Sequence, residues 1–543
     1  MGGGSMGTQR GGFKFDGNRR SLLGDDWYGM YSTGEPVTFR REHFETAMMN
    51  LIREPNINSS VILRADILSE VDVSSDGEKV IVKDKESCKL EIEDFEAKRI
   101  NIDDLEVREV TIAAEMGLFI RKKVVRRIIP RNPYKDAIIN QSCLVLKNAE
   151  EDGSDCLVIY IPHINAEDEC PFYIPRVKAV GILLHGGILS VHYVPFDNGE
   201  ILRDESERVV RTAWRLLQTA FKHSTGVIQG YKKRVNHDQV VDKVNFQNQY
   251  INLKKKYSKF LVDNWAESTD PKKHVFEDIA IAAFLIELWR KIKGPDFKDK
   301  IQFRDLGCGN GVLCYILISE GVTGIGIDAR HRKSWAIYPP EIQACLKEQV
   351  IIPSLLLRPH PEVKKRAPHL QHNGGLFPVK VAHEVIAPAT VLYTSEDLLR
   401  SPQVNIAEFS SETFIIGNHS DELTCWIPLL GNPFMVIPCC SHDFSGRRVR
   451  FNVRDPQARQ ASNSTYAGLV DHVNYIANRV GWKVEKEMLR IPSTRNAALI
   501  GYENEHLGQF PTQDVYDMVL EDGGPDGWIQ NTMALMKRSP RNH

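Results

Sequence analysis

The sequence predicts an α/β protein in which an open, doubly wound sheet follows a separate α+β domain. A glycine-rich turn at residues 307–311 comes after a short apolar run and before the apolar segment 312–317. A second short strand ends in the carboxylate of Asp328, about twenty residues beyond the turn. Segments with strand and helix patterns then alternate as far as residue 502. Strand, glycine turn and helix in this order are typical of a site for a nucleotide-type cofactor.

The residues around the turn favour S-adenosylmethionine over a dinucleotide. A dinucleotide fingerprint has a small residue where this chain has Val312, and Asp305 lies two places before the first glycine. The sulfonium cofactor has no pyrophosphate, but it has a cationic amino group that an aspartate can bind. An alternative is that the aspartates only cap helices. The predicted cofactor-binding residues are Asp305, Gly307, Cys308, Gly309, Asn310, Gly311, Asp328 and, from a later loop, Asn418.

Length and composition limit the class of protein. A chain of 543 residues exceeds one ordinary core, so two or three domains are expected. No apolar run reaches the roughly eighteen residues of a membrane span. The ten cysteines include no C-x-x-C pair, which favours a reducing compartment over a zinc ribbon or a disulfide scaffold. We therefore expect no metal, no membrane association and no obligate protein partner.

The segment patterns divide the chain into four regions. Residues 1–40 are predicted to be a disordered tail, 41–244 an α+β domain, 245–505 the doubly wound domain with an irregular insertion at 339–390, and 506–543 a C-terminal helical extension. In the α+β domain, we expect a helix over 206–223 and strands over 107–113, 118–129, 156–161, 179–184 and 188–194, the last two forming a hairpin.

In the doubly wound domain, a helix is predicted to begin at Asp270-Pro271 and to end at Gly294. Further strands are expected at 391–393, 413–416 and 435–437, then a helix over 466–480 and a final hairpin of 482–489 with 497–502. This order is the pattern of Rossmann-like (class I) methyltransferases that use S-adenosylmethionine.

Basic residues are clustered although the net charge of the chain is only −2. Each cluster alone is most often a solvated face, but several in one near-neutral chain suggest a surface that follows RNA. The clusters lie within residues 121–131, 232–234, 254–256, 364–366 and 447–454.

Three loops are expected to meet at the carboxyl edge of the sheet, where ligands of open α/β sheets bind. The first, 417–426, contains Asn418, His419 and Asp421, although Asp421 alternatively caps a helix running to Leu430. The second, 438–444, has a single imidazole beside two thiols, which makes a tetrahedral metal site improbable. The third supplies predicted phosphate contacts, namely Arg490, Ser493, Thr494 and Arg495.

Longer motifs resemble one family, the tRNA (uridine-2'-O-)-methyltransferases that modify serine tRNAs at the start of the variable region. The resemblance runs from about residue 130 to 502. Its most specific string is Asn-His-Ser-Asp-Glu-Leu-Thr at 418–424, and further matching motifs are 231–238, 264–271, 274–282, 305–311, 326–330, 438–440 and 490–495. The resemblance implies S-adenosylmethionine as methyl donor and tRNA as substrate, in particular serine tRNAs. It also implies a cytoplasmic setting.

The roles of individual residues are hypotheses. Asp421 is the first choice for the general base and His419 the second, with Asn418 orienting the ribose hydroxyl, and Lys272 or Lys273 near the cofactor carboxylate. The N-terminal domain is expected to bind tRNA, and Lys232, Lys233 and Arg234 are expected to contact it. The Lys-Asp-Lys-Glu set of many ribose methyltransferases is not matched. Methylation of an RNA base or a protein, and a non-catalytic tRNA-binding scaffold, remain alternatives.

Overall fold

The computed structural model describes residues 12–17, 20–74, 77–83, 96–148, 154–230, 237–359, 361–370, 395–456, 462, 464–507 and 509–536. The chain forms two compact units, residues 1–233 and 234–543. The second unit thus begins before the predicted boundary at residue 245, because the segment that leads into the helix Lys243–Asp263 already belongs to it.

The first unit is built on one large sheet whose strands are antiparallel, except for one short parallel pairing. The order along the sheet is β1-β2-β10-β9-β8-β7-β6-β3-β4, and β5 pairs with β7. The strands are β1 (Lys14–Phe15), β2 (Tyr28–Ser32), β3 (Ile62–Ser74), β4 (Gly77–Lys83), β5 (Arg99–Ile100), β6 (Leu118–Pro130), β7 (Ile138–Asn148), β8 (Cys156–Pro162), β9 (Ala179–His185) and β10 (Ile188–Val194). Strands β6, β8, β9 and β10 match the predicted ones, and β9 and β10 form the predicted hairpin.

Two helices pack on this sheet, α1 (Arg41–Arg53) and the long α2 (Arg208–Ile228). In α2 the buried residues recur at helical spacing and include Val210, Ala213 and Leu217. They share a core with residues of the helix α1 and of the strands β2 and β10. One side of α2 is therefore committed to the core, and the other side faces solvent.

Two predictions for the first unit are wrong. The region 1–40 is not a disordered tail throughout, because β2 lies in the sheet and Trp27 and Met30 are buried. Aromatic residues interspersed with glycines complete the sheet edge there. The segment 107–113 is not a strand. It is held by hydrogen bonds from side chains, such as that from Trp27 Nε1 to the carbonyl of Thr111 at 3.0 Å.

The basic residues of β6 do not form the free cationic surface that the sequence predicts. Lys122 pairs with Glu70 at 2.8 Å and with Asp72, on the neighbouring strand β3. Lys123 pairs with Glu78 at 3.1 Å and with Glu109 at 3.2 Å. The positive charges of both lysines are therefore compensated within the unit.

The two arginines further along β6 are buried. Arg126 donates to Gln141 Oε1 at 2.7 Å and to backbone carbonyls at the end of α1. Arg127 donates to Asn140 Oδ1 at 3.0 Å and to the carbonyl of Ile102 at 2.7 Å. Four basic residues of the predicted RNA surface at 121–131 thus make internal contacts, because strand residues have partners on both neighbouring strands. Arg131 is exposed, and its Nε donates to the carbonyl of Ser60 at 2.8 Å.

The second unit contains a mixed seven-stranded sheet in the order β13-β12-β11-β16-β17-β19-β18. The first five strands are parallel, and β19 is antiparallel to both of its neighbours. The strands are β11 (Gln302–Leu306), β12 (Gly324–Asp328), β13 (Leu346–Glu348), β16 (Thr413–Asn418), β17 (Phe434–Ile437), β18 (Trp482–Met488) and β19 (Ala497–Asn504), with a separate small pair formed by β14 (Val350–Ile351) and β15 (Val404–Asn405).

Helices cover both faces of this sheet. Alternate residues of β16 belong to two different cores, Phe414 and Ile416 to one and Ile415 to the other, as expected for a strand buried on both sides. The first core includes α3 (Lys243–Asp263), α4 (Pro271–Lys293) and α5 (Val312–Ser319), and the second includes α9 (Thr465–Arg479), α10 (Gln513–Glu521) and α11 (Trp528–Leu535). Shorter helices are α6 (Pro340–Gln343), α7 (Pro361–Arg366) and α8 (Ser395–Arg400).

The predicted helices at 270–294 and 466–480 and the final hairpin are confirmed. The region 339–390 is not wholly an irregular insertion, because it contains α6 and the strand β13 beside β12. The strand expected at 391–393 lies outside the described residues. The C-terminal region contains two helices, as predicted, and Trp528 of the second one is buried in the second core. In the part of the chain described, no helix has the length and hydropathy needed to span a bilayer.

A buried carboxylate attaches the start of the second unit to the sheet. Glu487 of β18 is 2% exposed and accepts hydrogen bonds from the backbone N–H groups of Asp238, Gln239 and Val240, at 2.9, 2.7 and 2.9 Å. Three consecutive N–H groups form a concave anion site. The carboxylate therefore fixes residues 238–240 against the sheet.

We expect Glu487→Gln to lower the free energy of unfolding by about 1–3 kcal/mol, because hydrogen bonds from backbone N–H groups to a charged acceptor are stronger than those to an amide. The matched control is Glu503→Gln on β19, whose exposed pair with Lys483 should contribute less than about 1 kcal/mol. Urea unfolding measures both. Equal losses in the two variants would contradict an anchoring role for Glu487.

Candidate active site

The candidate site lies where the order of the parallel strands reverses. The chain passes from β11 to β12 and β13 on one side, and later returns to place β16 on the other side of β11. The carboxyl ends of β11 and β16 are therefore neighbours at a topological switch point, where open α/β sheets bind ligands. The glycine turn follows β11, and the loop that begins at Asn418 follows β16.

The three glycines of the turn have left-handed backbone angles, each for a different reason. Gly307 has φ +84°, and a Cβ there would lie 3.3 Å from Ser420 Cα, so the turn and the loop after β16 touch. Gly311 has φ +76° and begins α5. Gly309 has φ +52°, and a Cβ there would meet open space. The backbone of Gly309 is thus the part of the turn that a ligand can approach.

Asp328 lies beside that approach. Its Oδ2 accepts the backbone N–H of Gly309 at 3.0 Å, and its Oδ1 accepts that of Arg330 at 3.1 Å. A carboxylate at this position suits a ribose ligand. The side chain of Asn310 has another role, since its Oδ1 accepts the N–H of Val312 at 2.9 Å and so caps α5. Cys308 is buried behind the turn, and burial raises the pKa of its thiol to about 11.

A short helical segment after β12 supports the outer side of the turn, and the sequence analysis did not identify it. Trp335 Nε1 donates to the carbonyl of Gly309 at 2.9 Å. Ser334 Oγ and the hydroxyl of Tyr338 lie 2.9 Å from the carbonyl of Asn310. Glu267 Oε1 accepts the N–H of Ser334 at 3.0 Å. These bonds fix the carbonyls of the turn before any ligand binds.

Two carboxyl groups are buried at the centre of the site. Burial raises the pKa of Asp305 to about 7 and raises the pKa of Asp278 well above its usual range, and each carboxyl opposes the charge of a neighbouring one. Within the described part of the chain, Asp305 Oδ1 and Asn418 Oδ1 are buried without a hydrogen-bond partner. A cationic ligand would satisfy these oxygens, so the residues present fit the amino group of S-adenosylmethionine.

Two consecutive carboxyls of α4 hold two consecutive residues of the loop after β16. Asn418 Nδ2 donates to Asp278 Oδ1 at 3.0 Å, and His419 Nε2 lies 2.9 Å from Glu277 Oε1. Glu277 and Asp278 are 4% and 7% exposed, whereas the His419 side chain is 34% exposed. The sequence predicts that the helix start up to Asp278 closes over the methionine end of the cofactor, but it does not predict these two contacts, because nothing local indicates which loop an acidic pair on a helix will face.

The backbone of this loop is strained. His419 and Asp421 have φ values of +53° and +44°, which side chains other than glycine adopt at a cost of about 1–3 kcal/mol each. The helix predicted to run to Leu430 is replaced by two short 3₁₀ turns, Asp421–Leu423 and Ile427–Leu429. Pro428 has no backbone N–H to donate to the carbonyl of Thr424, so one α-helix cannot run through this segment.

Asp421 contacts the loop after β17. Cys439 Sγ donates to Asp421 Oδ1 at 3.0 Å, and the three ligand atoms of Asp421, Cys439 and Cys440 lie within 4.8 Å of one another. The Cys439 thiol and the neighbouring Arg495 lower the pKa of Cys440 to about 7. Arg495 Nη1 lies 3.7 Å from Cys440 Sγ and donates to the carbonyl of Cys439. Because this cation already neutralises the cluster, we assign no metal to it.

The loop 490–495 reaches the same edge through Arg495, as the three-loop prediction required. Arg490 forms a two-bond pair with Asp238, with Nε at 2.9 Å, so its charge is already engaged. Ser493 Oγ accepts the N–H of Arg495 at 3.1 Å, and Thr494 is exposed. Lys232, Lys233 and Arg234 lie outside the described residues, and the side chains of Lys272 and Lys273 are exposed at the start of α4.

Two family models match the chain. Residues 13–234 match the family model described as "TRM44-like, N-terminal bet v1-like domain", and residues 240–353 match "Predicted AdoMet-dependent methyltransferase". The second match covers the glycine turn, Asp328 and both carboxyls of α4. The chain is therefore a methyltransferase that uses S-adenosylmethionine, with a Bet v1-like N-terminal domain.

The chain belongs to the tRNA (uracil-O(2)-)-methyltransferase family. It is 66% identical to the protein of that name from Saccharomyces cerevisiae over 98% of this chain and 96% of the relative. It is 64% identical to the one from Kluyveromyces lactis, covering 97% and 98% of the two chains. The relative from Schizosaccharomyces pombe is 36% identical over 93% and 92%.

The raised pKa of Asp305 predicts how stability depends on pH. In the unfolded chain the carboxyl ionises near pH 4, whereas in the folded protein it stays protonated up to about pH 7. This contribution to stability is complete below pH 4 and is lost as the pH rises to 7. The free energy of unfolding should therefore fall as the pH rises from 5 to 8. In the Asp305→Asn variant, we expect this fall to be smaller by about 2–3 kcal/mol.

Urea unfolding of the unliganded protein at several pH values measures this difference, and the exposed Asp299→Asn serves as the control. Saturating S-adenosylmethionine should restore the stability of the unsubstituted protein most at pH 8, because the bound cation favours the carboxylate. A pH profile unchanged by Asp305→Asn would show that this carboxyl ionises normally.

Proposed function

We propose that this protein transfers the methyl group of S-adenosylmethionine to the 2'-hydroxyl of a uridine in tRNA. The observation that carries the proposal is the pairing of a buried acidic cofactor pocket with the loop 418–421 at one switch point of the sheet. The names of the relatives support tRNA and the 2' position. The longer motifs described above support serine tRNAs and a cytoplasmic setting.

We further propose that the second unit has the Rossmann-like class I fold. Counting strands along the chain within the main sheet gives the order 3-2-1-4-5-7-6, with the seventh strand antiparallel. The first five positions follow the doubly wound pattern with its reversal beside strand 1. The antiparallel hairpin at one edge then leaves room for the loop 490–495 at the active edge.

The cofactor is proposed to lie along the glycine turn. Asp305 and Asn418 Oδ1 would accept hydrogen bonds from its amino group, Gly309 would offer open backbone, and Asp328 would accept hydrogen bonds from the ribose hydroxyls. When bound, the cofactor would supply an electrophilic methyl group on a sulfonium. The leaving group would be the neutral thioether that remains. The protein therefore has to position the ribose hydroxyl in line with that methyl and to accept its proton.

The contacts favour His419 over Asp421 as the proton acceptor. Glu277 holds the imidazole of His419 from one side, the arrangement that orients a histidine base. Asp421 Oδ1 already accepts a hydrogen bond from Cys439, so one of its two oxygens is engaged. In this proposal the proton moves from the 2'-hydroxyl to His419, and Asn418 orients the hydroxyl or the cofactor.

The test of the function is transfer of a labelled methyl group to unmodified total tRNA, followed by nucleoside analysis. We expect 2'-O-methyluridine, and purified serine tRNA should carry most of the label. Transfer to a different tRNA would correct the specificity alone. A methylated base, or no transfer by a protein that binds S-adenosylmethionine, would contradict the proposed reaction.

The choice of base is tested by single-turnover rates of three variants. We expect His419→Gln to lower the rate by about 100-fold or more, since a general base contributes 10²–10⁴-fold, and Glu277→Gln to lower it by about 10-fold. Asp421→Asn should lose less than His419→Gln. Cofactor binding should persist in all three. The reverse order, with Asp421→Asn the most impaired, would identify Asp421 as the base.

A further inference from the structure

The long helix α2 of the first unit has an unusual distribution of charge. Its 21 residues contain no aspartate or glutamate, and the acidic residues nearby in sequence lie before the helix begins. Its arginines and lysine are Arg208, Arg211, Arg215 and Lys222, and all four are exposed. We call these four residues the α2 basic face.

The spacing of these residues places them on one side of the helix. At about 100° per residue, the four positions lie within about 60° of arc, and they extend along about 21 Å of the helix axis. Val210, Leu217 and Ser224, which are buried, lie on the opposite side. The α2 basic face is therefore continuous and points away from the core of its own unit.

These charges differ from those of β6 because they have no carboxylate partners. Arg211, Arg215 and Lys222 form no ion pair with any residue that the structure describes. Partial burial lowers the pKa of Arg208, and the charges of Arg176 and Arg215 lower it further. Repulsion between neighbouring guanidinium groups is unfavourable in the isolated protein, and a polyanion would relieve it.

An exposed aromatic ring adjoins one end of the face. Phe172 is 62% exposed, and the Arg208 guanidinium lies over its ring at 3.3 Å from the centroid. Arginines with an adjacent aromatic ring suit RNA, since guanidinium groups bind phosphates with two hydrogen bonds and rings stack on unpaired bases. An anionic membrane would instead favour an apolar face beside the charges.

We propose that the α2 basic face binds the sugar–phosphate backbone of the tRNA substrate. This inference rests on the proposed function, and it assigns tRNA docking in the first unit to α2 and not to β6. A basic face about 21 Å long can contact several consecutive phosphates of one strand. Contacts of this kind position the substrate without reading its sequence.

The test is the triple variant Arg211→Gln, Arg215→Gln, Lys222→Gln in the full-length protein, compared with the unsubstituted protein. We expect the KM for tRNA to rise by about 10- to 100-fold at moderate salt, and the slope of log affinity against log salt to fall by about 2–3. The kcat at saturating tRNA and the affinity for S-adenosylmethionine should change less than twofold. The melting temperature should stay constant, because all three side chains are exposed.

The matched control removes three exposed lysines of the same unit that are not part of α2, by Lys79→Gln, Lys98→Gln, Lys135→Gln. An unchanged KM in the α2 variant, or an equal rise in both variants, would overturn the proposal. So would an α2 variant that loses binding to anionic phospholipid vesicles while its KM for tRNA is unchanged. Inactivity of the unsubstituted protein on tRNA would instead contradict the proposed function.

Discussion

The site depends on two adjacent carboxyl groups of one helix. Glu277 and Asp278 lie on α4, and each holds one residue of the loop after β16, His419 and Asn418 respectively. Two side-chain hydrogen bonds from a helix packed in the core fix both the position and the orientation of the loop. They offset the unfavourable left-handed angle at His419. The loop can then lie against the bare backbone of Gly307.

The buried carboxyls also explain why the pocket selects a cation. Asp305 and Asp278 lie within one desolvated region, where two negative charges oppose each other and protons are retained. A polar ligand without charge would leave this cost in place. A ligand that carries an ammonium and a sulfonium would release it, because the carboxylates then have a partner. The buried carboxyls therefore favour a cationic ligand at this position.

Local sequence was sufficient for one half of the site. The glycines at 307, 309 and 311, Asp305 and Asp328 lie within a single strand–turn–helix–strand unit, whose geometry follows from backbone rules. The other half consists of contacts between distant segments. Glu277 contacts His419 because of the way α4 packs on the sheet. Trp335 binds the turn from a short helix that no pattern in the sequence predicts. Neither follows from periodicity or spacing.

The same distinction explains the basic clusters. A residue in a strand has neighbours on both sides at about 4.8 Å, so Lys122 and Lys123 of β6 meet carboxylates on adjacent chain segments. A residue on the outer side of a helix has only its own helix beside it, and α2 supplies no acidic residue at any position. Lys122 and Lys123 are thus paired although they lie in a dense basic run, whereas Arg211, Arg215 and Lys222 are widely spaced along α2 and form no ion pair with the residues that the structure describes. The free charge of a surface is set by what lies beside each cation, and counting cations along the chain does not reveal it.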